Sequence, residues 1–242
     1  MALAGNYLQV LAGGYDLTGD SNRFAISDNY EAYDVTAYLD AVHKSILGRR
    51  TIALQHTGYM NAATAHAHPV LKTANIQGVL SLFLGQNAQP AVGDPVHSLF
   101  VQQGGYSALP QVGKYVPFTA AFANGANLGG WGVALAVPIS FTNTTNGSAI
   151  NNGAASTRGG TAFLHVLQAA ASDTYTITVE GSTTGAFAGE QTTLVTFSLN
   201  GSALGSDYQA LAGTVPQYTR WRAARSGSAG NTVQMAVSLV RF

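Results

Sequence analysis

Few residues in this chain are equipped for chemistry, and they are scattered. His66 and His68 are one residue apart, with His56 ten positions upstream. On a strand, alternate side chains share a face, so His66 and His68 could together grip a metal ion. Acidic residues are missing from that neighbourhood and Pro69 follows directly, which leaves a polar loop or an interface pair as the plainer reading. A second group, Asp28, Glu31, Asp34 and Asp40, surrounds the aromatic run Asn29–Asp34. Paired carboxylates can serve glycoside hydrolysis, and tyrosines can stack on sugars; the alternative is a solvated strand or loop. Asp16 and Asp20, with Gly19 between them, do not fill a calcium-loop pattern. In Tyr218–Arg222, alternation puts Arg220 and Arg222 on one face and sends Trp221 to the core. Two arginines on one strand do not make a nucleic-acid surface; they suit strand-face salt links or subunit contacts. The chain carries no Gly-x-Ser-x-Gly elbow, Walker loop, His-Glu-x-x-His pair or dinucleotide fingerprint. The expectation is a protein that is not an enzyme and has no catalytic, metal or cofactor-binding residue.

Composition narrows the classes further. Of 242 residues, 11 Lys and Arg balance 11 Asp and Glu, and there is no Cys. Charged residues make up 9%, against ~25% in ordinary soluble chains. Intrinsic disorder needs low hydrophobicity with high net charge, and a nucleic-acid reader needs a basic footprint; neither is present. Without thiols, disulfide scaffolds and thiolate zinc sites are excluded. A chain with so little charge repulsion is poorly suited to life as a free monomer, so a surface covered by copies of itself is the economical reading. Extracellular β proteins can share this composition. The opening Met1–Gly5 lacks the pattern of a secretory signal. The most apolar stretch, Tyr115–Phe141, is broken by Asn124, Gly125, Asn127, Gly129 and Gly130, so no membrane span is expected. Sequons at Asn143, Asn146 and Asn200 read as chance matches in a chain rich in Asn, Ser and Thr.

The elements that must position these residues are strands. Trp131, Val133, Leu135, Val137, Ile139 and Phe141 alternate with small residues, and Pro138 within that run marks an edge or a bulge. Further strands are expected at Arg50–Tyr59, Val79–Leu84, Val96–Val101, Lys114–Phe122, Ala162–Gln168, Tyr175–Glu180, Leu194–Leu199, Tyr218–Ala223 and Thr232–Phe242. A helix is expected over Ala37–Leu47, capped by Thr36 and ended by Gly48, and a short turn near Asn61–Ala74. The spacing predicts an all-β fold with little helix: one β-sandwich domain over 1–141, a polar linker or long loop over 142–160, and a smaller β-sandwich over 161–242.

The order of these elements resembles a known family. Tyr15–Asn22 opening into Phe24–Ser27, then Tyr33–Tyr38, Gly48-Arg49-Arg50 and the strand Thr51–Tyr59, is similar to the N-terminal part of the major tail proteins, or tail tube proteins, of long-tailed bacteriophages. Asp173–Gly181, Leu194–Leu199, Tyr218–Arg222 and the strand ending at Arg241-Phe242 are similar to that family too. The helix-like Leu39–Leu47 departs from the Gly- and Pro-containing loop of its pattern. The resemblance implies a structural virion protein assembled in the host cytoplasm, whose β-sandwich protomers close six-fold rings that stack into a tube around the genome channel. It implies partners as well: the chain itself, a tape measure protein, and tail terminator or tip proteins. DNA would only pass through the lumen, without specific binding, and no membrane is involved. Heterologous ring closure would also pair sheet edges between subunits. The alternatives are a carbohydrate-binding or adhesive β module and, further off, a glycoside hydrolase.

How rings would join is the sharpest expectation. Asp40, Lys44, Arg49 and Arg50 lie beside the apolar Ile46 and Leu47 in a chain otherwise poor in charge. One reading is an amphipathic helix packed on its own sandwich. The other is a segment inserted into the next ring, with Ile46 and Leu47 as anchors and the arginines paired to Asp28, Glu31 or Asp34 of the neighbour.

Overall fold

The computed structural model describes residues 7–73, 77–86, 88–125, 129–169, 173–200, 203–227 and 230–242. Met1–Gly5, Ala74, Asn127 and the last two residues of the third sequon lie outside that set. Among the described residues the chain forms sixteen strands in two antiparallel sheets. The larger sheet runs β14 (Gly205–Leu211), β11 (Gly160–Gln168), β16 (Val233–Arg241), β8 (Gly130–Phe141), β6 (Pro95–Ala108), β5 (Gln77–Leu84), β1 (Leu8–Ala12) and β2 (Tyr15–Asp16). A branch leaves β6 through β7 (Pro117–Asn124) and β4 (Ser45–Tyr59), ending at β3 (Ser21–Asp34). The smaller sheet orders β10 (Ile150–Asn151), β15 (Tyr218–Ser226), β12 (Thr174–Ser182) and β13 (Thr192–Asn200), with β9 (Thr145–Asn146) also on β15. The fold is all-β and sandwich-like.

Two main cores result. Val10, Leu54, Leu82, Leu99, Phe118 and Phe122 fill the N-terminal part. The second core lies between the two sheets: Leu135, Leu164, Val237 and Leu239 of the larger meet Tyr175, Ile177, Phe197 and Trp221 of the smaller. Trp221 is buried, as alternation along its strand requires. Pro138 sits where the β8–β16 register slips, opposite Ala236, so it costs no ladder bond in a central strand. A second slip, before Ser238, lets Leu135 and its neighbour Ala136 both reach the second core.

Backbone pairing does not stop at residue 141. β16 lies between β8 and β11, so strands from both halves of the sequence share one sheet. Residues 142–160, expected as a polar linker or long loop, carry short pairings. There β9 and β10 pair with β15, Ser156 bridges Val215, and Arg241 donates to the carbonyls of Ala154 and Asn152. The polar residues that read as a tether hydrogen-bond along a sheet edge.

The expected helix over Ala37–Leu47 is not formed. Ser45–Leu47 belongs to β4, and Val35–Lys44 is the turn of a long hairpin, closed by Val35 N–H donating to Lys44 O at 2.9 Å. Short polar side chains take the backbone groups that a helix would need. Thr36 N–H donates to Asp34, Ala37 N–H donates to Asp40, and Lys44 N–H donates to the Thr36 hydroxyl. The one α-helix among the described residues, α1 (Ala67–Leu71), follows His66. It tolerates Pro69 in its first turn, where a missing N–H loses no helical bond.

His56, His97 and His165 are wholly buried, and burial pushes the pKa of each down to about 4. His165 contacts Gly13 O at 2.7 Å and Ser81 Oγ at 2.8 Å, and from there a hydroxyl chain runs through Ser98 to Ser238. Both ring nitrogens of His97 are buried without a partner beside the Trp131 ring. A depressed histidine pKa means that the unfolded chain binds protons first. Stability is therefore whole above the unfolded value near 6.5 and drains as pH falls towards 4. At 1.36 kcal/mol per pKa unit the loss approaches roughly 3 kcal/mol per histidine. Urea unfolding at pH 7, 5.5 and 4.5 checks this. His97→Phe, which breaks no hydrogen bond, should stay within about 1 kcal/mol of the parent at pH 7 and flatten the acid limb. His165→Phe should cost about 1–3 kcal/mol at pH 7 by taking the imidazole partner from Gly13 O and one of two partners from Ser81.

Candidate functional site

The β3–β4 hairpin is the longest pairing in the molecule and its distal half has no core to rest on. Near its base Ile52, Leu54 and His56 of β4 are buried, and Phe24 stacks on His56. The last internal anchor is Arg50. Its guanidinium donates to both oxygens of Asp28 and, at 3.0 Å, to the carbonyl of Gly129 ahead of β8. Beyond that point the register continues through Ala32↔Leu47, Tyr33↔Ile46 and Asp34↔Ser45, with a slip after Tyr30. Gly48 falls at the slip, and a Cβ there would overlap the Tyr33 ring.

The residues expected to join rings therefore occupy one ribbon. Ile46 and Leu47 are exposed at 57% and 69%, too open to be core residues of the protomer. Tyr30, Tyr33, Tyr38, Leu39 and Val42 are exposed on the same ribbon; Tyr38 and Leu39 sit at its tip. Sequence reasoning read Tyr30 and Tyr33 as residues that could stack on sugars, and the helical period imposed on the turn hid that Tyr38 and Leu39 lie at its tip.

The charges are arranged differently from expectation. Arg50, which one of the two readings pairs with a neighbour's acid, is bonded to Asp28 of its own hairpin, whose carboxyl it holds below the usual range. Asp40 pairs with Lys44, which lowers the Asp40 pKa in the same way. Asp34 is lowered by the Thr36 hydroxyl and N–H, and His43 lies 3.7 Å from it. Glu31 accepts from the Tyr33 hydroxyl. Arg49 stays exposed. The four carboxylates lie along one ribbon, each engaged by a hairpin neighbour.

The remaining candidates separate. His66 faces Asp20, which also accepts from Asn61 and from Ala67 N–H. His68 contacts the Tyr106 hydroxyl at 2.9 Å, and His56 contacts Ser21 at 2.6 Å. The pair diverges because it straddles the start of α1 instead of lying on a strand. Among the described residues no cluster of three or more His, Cys, Asp or Glu could hold a metal ion. Arg220 and Arg222 both face Glu180 of β12, at 2.8 and 3.9 Å. That strand-face link was open to sequence reasoning, but its acidic partner was not.

Neither protein-family models nor curated protein sequences match the chain. Solved structures do. A chain of a native gene transfer agent virion aligns with a TM-score of 0.43 and 14% identity, over 54% of this chain and 98% of that one. A chain of the tail of an empty gene transfer agent particle, refined with C6 symmetry, gives 0.39 and 16%, over 52% and 96%. The Dit protein of phage SPP1, described as a hub adsorption apparatus component of phages infecting Gram-positive hosts, gives 0.34 and 10%, over 97% and 99%.

The anchoring role of Arg50 is testable. Asp28→Asn removes the charge partner but keeps the strand pairing. Amide hydrogen exchange should quicken across residues 30–49, while β5, β11 and β16 keep their protection. Unchanged exchange in the hairpin would show that the Arg50 pair does not hold it.

Proposed function

We propose that this chain is a structural virion protein whose copies close rings that stack into the tail tube of a long-tailed phage, around the channel for genome delivery. One observation carries the reading. The β3–β4 ribbon runs past its last anchor at Arg50 and presents a series of large apolar side chains with nothing of its own protomer to cover them. A monomer rarely leaves such a series free, and a copy of the same chain is the occupant always at hand. Two further features support it. Among the described residues β3 pairs only with β4, which leaves its outer edge open to another strand. The chain also lacks the net charge that would keep copies apart. In this reading Ile46 and Leu47 anchor the contact with the next ring, Arg49 is the charge left to set register, and Asp40 with Lys44 shapes the tip. Asp34 serves the turn, Glu31 accepts from the Tyr33 hydroxyl, and Asp28 and Arg50 serve the hairpin. The family resemblance supplies six-fold closure, tape measure and terminator or tip partners, and assembly in the host cytoplasm.

Apolar anchors at the centre of an interface typically carry about 2 kcal/mol or more each. Ile46→Ser combined with Leu47→Ser should keep the parent circular dichroism spectrum and melting temperature but form no rings or tubes by negative-stain microscopy. Tubes of normal length from that variant would remove the hairpin from the interface.

A further inference from the structure

On the smaller sheet, away from the hairpin, two guanidiniums share one carboxylate. Glu180 is 3% exposed and sits between Arg220, bonded to it through Nε and Nη2, and Arg222, whose Nη1 is 3.9 Å away. Arg220 is held from a second side. Its guanidinium lies 4.2 Å from the centre of the Phe187 ring, a cation–π distance. Phe187 adopts φ +61°, a left-handed conformation that costs a bulky residue on the order of 1 kcal/mol or more. The loop that imposes it is fastened by Glu190, which accepts from the hydroxyls of Ser182, Thr183 and Thr184 and from Thr184 N–H. Those bonds draw the Glu190 pKa down to about 2. The strain is therefore imposed by a locked loop, and its effect is to fix one arginine above a buried carboxylate.

Between the loop and β15 lies a pocket of about 330 Å³ walled by Asn146, Phe187, Gln191, Arg220 and Arg222. Its charges sum to +1, and the surplus rests on Arg222, which is half exposed. Gln191 spends its carbonyl on Gly189 N–H, which leaves its NH2 to donate. Asn146 adds a second exposed amide directly across from Arg222 in the strand pairing. We infer that this pocket binds an acidic sugar of the hexuronate class, its carboxylate on Arg222 and its hydroxyls on the amides of Asn146 and Gln191. The volume suits one pyranose ring seated in a shallow, open pocket. The uncompensated guanidinium selects a carboxylate over a neutral sugar.

The test uses the full chain, labelled with nitrogen-15 and titrated with sodium glucuronate, glucose, inorganic phosphate and an aspartate-containing peptide. Glucuronate should shift the amide signals of residues 146, 186–191 and 220–222, with glucose weaker by about tenfold or more. Arg222→Gln, at an exposed position, should keep the melting temperature and lose about tenfold or more in glucuronate affinity; Asn146→Ala should lose less. The inference is overturned if glucuronate causes no shifts, if Arg222→Gln binds it as the parent does, or if glucose matches it. Phosphate as tight as glucuronate would make this a plain anion site, and a peptide as tight would make it a protein contact; either overturns the sugar assignment. Calorimetric titration with the same ligands reads these affinities whether or not the chain forms tubes.

Discussion

β16 is the constraint on which the rest of the fold depends. It pairs with β8 on one side, from Val233↔Phe141 to Leu239↔Val133, and with β11 on the other, from Gly160↔Arg241 to Gln168↔Gln234. Its two faces serve different interiors. Met235, Val237 and Leu239 enter the core between the sheets. Ala236 joins Leu11, Phe83 and Val96, and Val240 joins Val79 and Phe163, on the side where N-terminal strands pack. A single strand of period two thus divides its side chains between the interiors of both halves. Neither half can be completed without it, because β8 would lose a neighbour and β11 would have no sheet to extend. The pairings are distant in sequence, so the entropy of closing long loops comes due before these contacts form, and folding of this topology is intrinsically slow.

The join is lined with small and polar groups where a larger core would have leucine. Ser81, Ser98 and Ser238 are all buried and linked at 2.7 Å, with His165 at one end of the chain. Buried hydroxyls cost little when each finds a partner, and here they demand a mutual register among β5, β6, β11 and β16 that apolar contacts alone would not. That chain needs a neutral imidazole, able to donate to Gly13 O and accept from Ser81. The arginine ion pairs lie at the margins. Arg50 meets Asp28 where the hairpin leaves the body, and Arg220 meets Glu180 on the outer face of the smaller sheet. A chain this poor in charge places its ion pairs where orientation matters.

Strand positions were largely legible, because alternation survives wherever one face meets a core. Every strand expected from Arg50 onward exists, although β6 runs on to Ala108 and β4 starts at Ser45. β1, β2, β3, β9, β10 and β14 were missed. Leu8–Ala12 is a short apolar run without alternation, and Gly205–Leu211 is a mostly polar strand at a sheet edge. The failure at Ala37–Leu47 has a physical cause. Apolar spacing reports a helix only when the apolar face has its own protomer to pack on, and Val42, Ile46 and Leu47 have none. The docked path of 142–160 was hidden because loops and edge strands share a polar composition. In the pocket on the smaller sheet, the alternating Arg220 and Arg222 could be read, but Glu180 enters through the β12–β15 register and Phe187 through a backbone angle, neither of which has a sequence signature.

The self-pairing of charges along the hairpin bears on how it could recognise anything. Asp28 is taken by Arg50 and Asp40 by Lys44, and Asp34 is spent on the turn. What the ribbon has left to offer is Arg49 and a set of aromatic and branched side chains on a twisted two-stranded surface. Exposed charge pairs contribute little to association and are screened by salt, whereas buried apolar area is neither oriented by charge nor weakened by ionic strength. Recognition by such a surface rests on shape and on the rigidity of its mounting. A two-stranded ribbon is marginal alone, so its stiffness must come from the root. There Ile52, Leu54 and His56 are clamped in the first core, and Arg50 ties the ribbon to Gly129 at the entrance to β8. β8 is the strand that β16 covers. The mounting of the exposed ribbon therefore traces back, through one guanidinium and one carbonyl, to the same strand pairing that joins the two halves.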